Sequence, residues 1–145
     1  MDHYTKEDFR MAQSVGFAIT KARNLVVAEM DAALKDLNVT SPQVGILLSM
    51  TDGAATTPFE LARLLGIDTG LMTRMLDRLE TRGLLERSRS VEDRRVVNLT
   101  LTKAGRAVAA RIPEIAPVVL NARLQKFSSE EFDELRRLLH KFLEA

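Results

Sequence analysis

Apolar residues recur at every third or fourth position through most of this chain and switch to every second position in one place only. Between Thr5 and Leu37 no proline intervenes, and Phe9, Ala12, Gly16, Ile19, Arg23, Val26, Met30, Ala33 and Leu37 fall on one helical stripe. Val15, Ala18, Ala22, Leu25 and Ala32 form a second stripe on a neighbouring face. The pattern predicts one long first helix. A helix apolar on more than one face needs more partners than a single neighbour supplies. It is either a central core helix or one shared with a second subunit, and the C-terminus, which shows the same need, favours the second.

Thr40-Ser41-Pro42 announces the next helix, a capping hydroxyl followed by a proline placed for the first helical position. That helix carries Val44, Ile46, Leu47, Leu48 and Met50 and stops near Thr51-Asp52-Gly53. Thr57-Pro58-Phe59-Glu60 starts a third, a capping box in which Glu60 is expected to return a bond to the cap backbone, and Gly66 ends it. Asp68 or Thr69 caps a fourth helix that runs to Arg82 and ends at Gly83.

From Leu84 the period falls to two. Leu85, Arg87 and Arg89 share one face, and Leu84, Glu86 and Ser88 the other. After a charged tip, Val97, Leu99 and Leu101 alternate with Asn98, Thr100 and Thr102, so the two runs predict a β-hairpin. Helix returns after Thr102 to about Lys126, with a bend or break expected at Pro113 and Pro117. A last capping box, Ser128-Ser129-Glu130-Glu131, opens a helix with Phe132, Leu135, Leu139 and Phe142 on one stripe. There is no internal repeat and no low-complexity linker.

Composition narrows the classes. The 145 residues suit one domain, and 46% hydrophobic with 28% charged residues is typical of a soluble globular protein. No run of about 18 apolar residues is present to span a membrane. The polar N-terminus lacks an apolar signal core, so a cytoplasmic protein is expected. The absence of Cys removes disulfides, thiolate metal sites and cysteine redox sensing. Only His3 and His140 could serve as imidazole bases, and they lie near opposite ends of the chain, outside any triad or metal-ligand spacing. No glycine-rich phosphate loop appears. An enzyme, a cofactor and a metal site are therefore not expected. The net charge of +1 does not announce nucleic-acid binding either, so any such function rests on where the charges sit.

Their placement is specific. In PFELARLLGIDTGLMTRMLDRL, Ala62 admits a close helix crossing, Gly66 makes the turn, and Leu61, Leu65, Ile67, Met72 and Met75 take inward positions. Burying Leu71, Met72, Met75, Leu76 and Leu79 leaves Gly70, Thr73, Arg74, Asp77, Arg78 and Thr81 facing out. Such a helix-turn-helix places the N-terminal half of its second helix in the major groove, so Thr69, Gly70, Thr73 and Arg74 would face bases, with Arg78 on the same outward side. A helix-turn-helix followed at once by a hairpin with an arginine tip is the layout of a winged helix, whose tip can carry an arginine into the minor groove.

DRRVVNLTLT, Asp93 to Thr102, matches the Asp-x-Arg-x5-Leu-Thr wing signature of the MarR (multiple antibiotic resistance regulator) family, and Leu61 to Arg87 resembles that family's recognition helix with its Gly-Leu-Leu-x-Arg exit. The resemblance spans the whole chain in element order. It implies a mainly α fold with a small β-hairpin wing, a winged helix-turn-helix flanked by N- and C-terminal dimerisation helices. Residues 38–102 would form the DNA-binding lobe of a single 1–145 domain, and residues 1–37 and 103–145 the dimerisation helices. Arg95 resembles the wing arginine that enters the minor groove, and Asp93 the acid that pairs with it. Thr73 and Arg74 resemble recognition-helix contacts, Arg74 being the natural bidentate partner of guanine. Arg87 and Arg89 are expected to meet phosphate, with Arg94 a further candidate, while Asp77, Glu80, Glu86 and Glu92 dilute the basic patch.

The resemblance further implies a sequence-specific transcriptional regulator, a homodimer on a pseudo-palindromic operator, and repression released by a small aromatic or phenolic ligand. Arg23, the one charge on the first helix's heptad stripe, is a candidate clamp for a ligand carboxylate, although a snorkelling or subunit-pairing arginine is the plainer reading. The alternative function is a winged-helix protein-interaction module that does not bind DNA.

Overall fold

A computed structural model describes residues 1–144 of the chain. Its six helices and one hairpin are α1 (Val15–Ala33), α2 (Ser41–Thr51), α3 (Pro58–Leu65), α4 (Thr69–Thr81), β1 (Leu85–Arg89), β2 (Val97–Leu101), α5 (Lys103–Leu124) and α6 (Ser129–Leu143).

The first helix is shorter than its apolar stripe. Ser14 sits in extended backbone and its hydroxyl accepts the Phe17 N–H at 3.1 Å, which starts the helix at Val15 rather than near Thr5. Before it, the chain makes one 3-10 turn, Met11–Gln13, and an irregular arm folds back so that the Tyr4 hydroxyl accepts the Val15 N–H at 2.8 Å. Phe9 thus belongs to this arm, packed edge-on to Tyr4 with ring centroids 5.8 Å apart. At the other end α1 stops at Ala33, and Leu37 lies in a separate 3-10 turn closed by Asn38 in the left-handed region.

Caps set the next boundaries. The Gln43 side chain accepts the Thr40 N–H at 3.0 Å, and Pro42 takes the second helical position of α2, one later than expected. The Thr57 hydroxyl accepts the Glu60 N–H at 3.2 Å, but Glu60 returns its carboxylate to that same hydroxyl at 3.0 Å, not to the cap backbone. Asp68, not Thr69, caps α4, accepting the Leu71 N–H at 3.1 Å. Gly66 takes a φ of 65° between α3 and α4, a conformation that costs glycine little.

The hairpin pairs Leu85 with Leu101, Arg87 with Leu99 and Arg89 with Val97, antiparallel. The middle of β2 is tied to the lobe by the Leu99 N–H donating to the Thr56 carbonyl at 2.8 Å. The start of α5 lies so close beneath it that a Cβ on Gly105 would stand 1.9 Å from the Leu84 carbonyl oxygen.

Helix α5 runs unbroken through Pro113 and Pro117, so the expected break does not occur. The two prolines are spaced one helical turn apart on an exposed side, so the carbonyl that Pro117 deprives of a partner is that of exposed Pro113. On the other side Ile112, Ile115, Ala116 and Val119 pack into or against the core and keep the helix continuous.

That core sits in the middle of the chain. Leu34, Ile46, Leu47, Leu61, Met72, Leu76, Leu79, Leu85 and Ile112 are fully enclosed. By contrast α1 buries only Met30, and α6 buries nothing, although Phe132, Leu139 and Phe142 lie along it. No helix among the described residues is long and apolar enough to cross a membrane.

Candidate nucleic-acid interface

Helix α4 buries Met72, Met75, Leu76 and Leu79 and presents Thr69, Gly70, Thr73, Arg74, Asp77, Arg78 and Thr81 outward. Leu71, expected inside, is 41% exposed because it falls at the rim between the two faces. In the first turns the Thr73 hydroxyl donates to the Thr69 carbonyl at 3.0 Å, leaving the hydroxyl oxygen free only to accept. A Cβ on Gly70 would come within 3.0 Å of the Asp68 carboxylate and 3.8 Å of the Arg74 guanidinium, so glycine leaves room there for both charged groups.

The wing tip is internally ordered. The Ser90 hydroxyl accepts the N–H groups of Glu92 and Asp93 at 3.2 and 3.3 Å. Asp93 then receives the Arg95 backbone N–H at 3.0 Å, its Nε at 3.1 Å and its second guanidinium nitrogen at 3.2 Å. The Arg95 side chain is nevertheless 91% exposed. Asp93 thus fixes the base of the guanidinium fork while its outer edge points to solvent. The charge-assisted bonds from Arg95 hold the Asp93 carboxyl below its ordinary value. Arg89 donates to the Arg94 carbonyl at 2.8 Å, which ties the strand to the tip, and its side chain stays exposed, as does that of Arg94.

Arg87, expected to meet phosphate, has partners within the fold. Its guanidinium is turned onto α4, where it bonds Asp77 and takes Glu80 through two nitrogens at 3.3 and 3.0 Å. Glu80 also accepts the Arg87 backbone N–H at 3.0 Å. The Arg87 hydrogen bonds, above all, keep the Glu80 carboxyl below its ordinary range, and the two carboxylates raise the Arg87 guanidinium further. Asp77 and Glu80 therefore do more than dilute a basic patch: they brace the wing against the recognition helix through Arg87. The sequence contains the three residues but no local spacing that joins them, since they meet only when β1 folds back over α4. Arg23 lies apart from this face, exposed on α1, with its guanidinium 3.4 Å from the neighbouring Asn24 amide oxygen.

The outward helix face and the pinned arginine of the wing form one surface suited to a double strand. Comparison with known proteins agrees. Residues 39–97 match the model of the MarR family. The chain is 36% identical over 111 residues to the multiple antibiotic resistance protein MarR of Escherichia coli strain K12, covering 76% of this chain and 77% of that one. Its fold matches the crystal structure of a mutant Escherichia coli MarR complexed with operator DNA, with a TM-score of 0.82 and 30% identity over 89% of this chain and 93% of that one. It also matches Bordetella bronchiseptica BpsR, whose DNA binding is regulated by 6-hydroxynicotinic acid, with a TM-score of 0.86 and 26% identity over 94% and 98% of the two chains. Identity sustained over three quarters of the chain, together with the shared winged-helix architecture, shows that this chain belongs to the MarR family of DNA-binding transcriptional regulators.

Proposed function

We propose that two copies of this chain bind a pseudo-palindromic operator, each setting α4 into a major groove and its wing tip into the adjacent minor groove. Residues 38–102 act as the DNA-binding lobe, and residues 1–37 and 103–145 pair the subunits. Thr69, Gly70, Thr73 and Arg74 read base edges, and Arg95, held by Asp93, enters the minor groove. Arg78, Arg89 and Arg94 meet the backbone. Arg87 acts from behind, setting the angle between wing and helix. The observation that carries this reading is Arg95: a guanidinium fixed on one edge and open on the other loses little freedom when it enters a narrow groove.

The protein acts in the cytoplasm as a repressor that a small aromatic anion releases. The Bordetella relative, whose DNA binding responds to an aromatic acid, supports a ligand of that class. The ligand shifts the balance only if it prefers the dimer geometry in which the two reading helices no longer match successive grooves. Arg23 is the candidate clamp for its carboxylate. The operator-bound relative favours this reading over a module that only binds proteins.

Selection of bound sequences from a random duplex pool tests the proposal. The expected product is a pair of inverted half-sites about one helical turn apart, roughly 34 Å centre to centre. Recovery of no preferred sequence at low ionic strength, without effector, overturns it.

A further inference from the structure

Beside the outward face of α4 lies a second, smaller feature. Asn38, Thr40, Gln43, Asp77, Arg78, Thr81 and Arg82 line an open concavity of about 440 Å³ between the start of α2 and the second half of α4. Three of its residues, Asp77, Arg78 and Thr81, belong to the surface already directed at the duplex.

Its chemistry is that of an oxyanion site. Arg78 and Arg82 form no ion pair among the described residues, and one nitrogen of Arg82 is anchored to the Leu37 carbonyl at 3.3 Å, which places the guanidinium at the rim. Asp77, the one acid in the lining, is already paired with Arg87. In the lining Asp77 carries one negative charge and Arg78 with Arg82 two positive, leaving the wall at one net positive.

Gln43 supplies the independent signal. It is only 7% exposed, and its amide oxygen is occupied by the Thr40 N–H. Its amide nitrogen donates to nothing among the described residues. No fully enclosed side-chain polar atom lacks a partner there, so that nitrogen reaches open space, and the space its residue lines is this concavity. An amide whose oxygen is fixed by the helix cap keeps donor hydrogens to offer an acceptor seated in the concavity. The first N–H groups of α2 are not available for this role, since Thr40 donates to Gln43 and Ser41 to the Asp31 carboxylate at 2.6 Å. The side chains alone make the site.

We propose that this concavity seats one phosphate of the duplex backbone flanking the groove entered by α4, held by Gln43, Arg78 and Arg82. The proposal rests on the DNA-binding reading above and adds residues to it: Gln43 and Arg82 lie outside the recognition helix's reading face and the wing. A seated phosphate sets the depth and register of α4 without reading sequence.

Affinity of the full-length chain for its selected duplex, measured by anisotropy across a salt series, tests it. Arg78→Gln with Arg82→Gln should lower the slope of log affinity on log salt by about 0.9 per phosphate, near 2 for a dimer, while the order of preferred sequences stays as in the parent. Gln43→Glu keeps the oxygen that caps α2 and turns the free donor into a second oxygen. It should weaken binding roughly tenfold at about 0.1 M salt, with dimer mass unchanged. A duplex carrying a single methylphosphonate at the flanking position should bind the parent more weakly and the double variant no more weakly than its natural duplex does.

Equal slopes for parent and double variant, with the parent still selecting its sequence, overturn the seat alone. A parent indifferent to every duplex removes the seat and the wider reading together. Inorganic phosphate that shifts the Gln43 side-chain amide resonance yet displaces no more duplex than chloride does at matched ionic strength assigns the site to a free anion and overturns the backbone assignment.

Discussion

Arg87 and Arg95 carry the same charge on the same hairpin, yet the fold uses them in opposite directions. Arg95 is pinned by an acid two residues away and remains open to solvent. That contact is local, and the resemblance to the MarR wing signature implied it. Arg87 turns inward to acids seven and ten residues back on a different element, which no local spacing reports. Replacing Arg95 with alanine should weaken operator binding by about 1–3 kcal/mol while dimer mass and melting temperature hold. Equal operator affinity for variant and parent would remove the wing from the mechanism. Acid provides a second test at this scale. Glu80 and Asp93 are held below their ordinary values of 4.5 and 3.8, so each titrates at lower pH in the folded chain than in the unfolded one. What their ion pairs contribute is therefore complete above those ordinary values and is lost as pH falls through the lowered ones. Carboxyl-carbon NMR should show both midpoints displaced to acid. Neither group should change operator affinity between about pH 6 and 8, and a midpoint at the ordinary value would mean that the pair does not persist in solution.

Among the elements, those with a chemical start and stop were legible and those bounded only by apolar period were not. Helices α2, α3, α4 and α6 each begin at a side-chain cap within one residue of expectation. The first helix was overextended because the apolar residues of an arm that folds back on itself keep the same spacing as a helix, and the Ser14 cap outweighed the stripe. The two prolines misled in the other direction, since packing of α5 on the core outweighs the two helix bonds they cannot donate, to Ala109 and Pro113. The brace between β1 and α4 makes the hairpin and recognition helix one unit. Arg87→Met should leave Asp77 and Glu80 unpaired beside each other, lowering stability by about 1 kcal/mol, the modest value of a partly exposed network. Operator affinity should fall as well, because the wing is no longer held at its angle. Charge exchange, Arg87→Glu with Glu80→Arg, should recover part of that affinity. An Arg87→Met variant that binds like the parent would show that the wing finds its place unaided.

At the scale of the molecule, the distribution of burial is uneven. The middle of the chain has a closed core, whereas Phe132, Leu139 and Phe142 on α6 are 37%, 44% and 55% exposed, and Phe9, Met11, Val15 and Leu25 near the first helix are exposed too. A set of large apolar side chains at both ends of one chain marks an interaction surface. A dimer is accordingly expected at micromolar concentration by sedimentation, and Leu139→Glu with Phe142→Glu should shift it to monomer while the lobe stays folded. A monomeric parent would count against the proposed pairing of two reading helices.

Periodicity, caps and a short wing motif, all properties of residues near one another along the chain, determined the order of elements, the helix-turn-helix, the hairpin and the Asp93–Arg95 pair. Tertiary structure alone decided that Arg87 pairs with Asp77 and Glu80 on α4 and that Gly105 must lack a side chain beneath Leu84. It also brought Gln43 to the same concavity as Arg78 and Arg82. The reason is physical: a helix cap or a two-residue ion pair is set by the chain's local geometry, whereas contacts between α2, α4 and β1 exist only after burial of the shared core has brought those elements together.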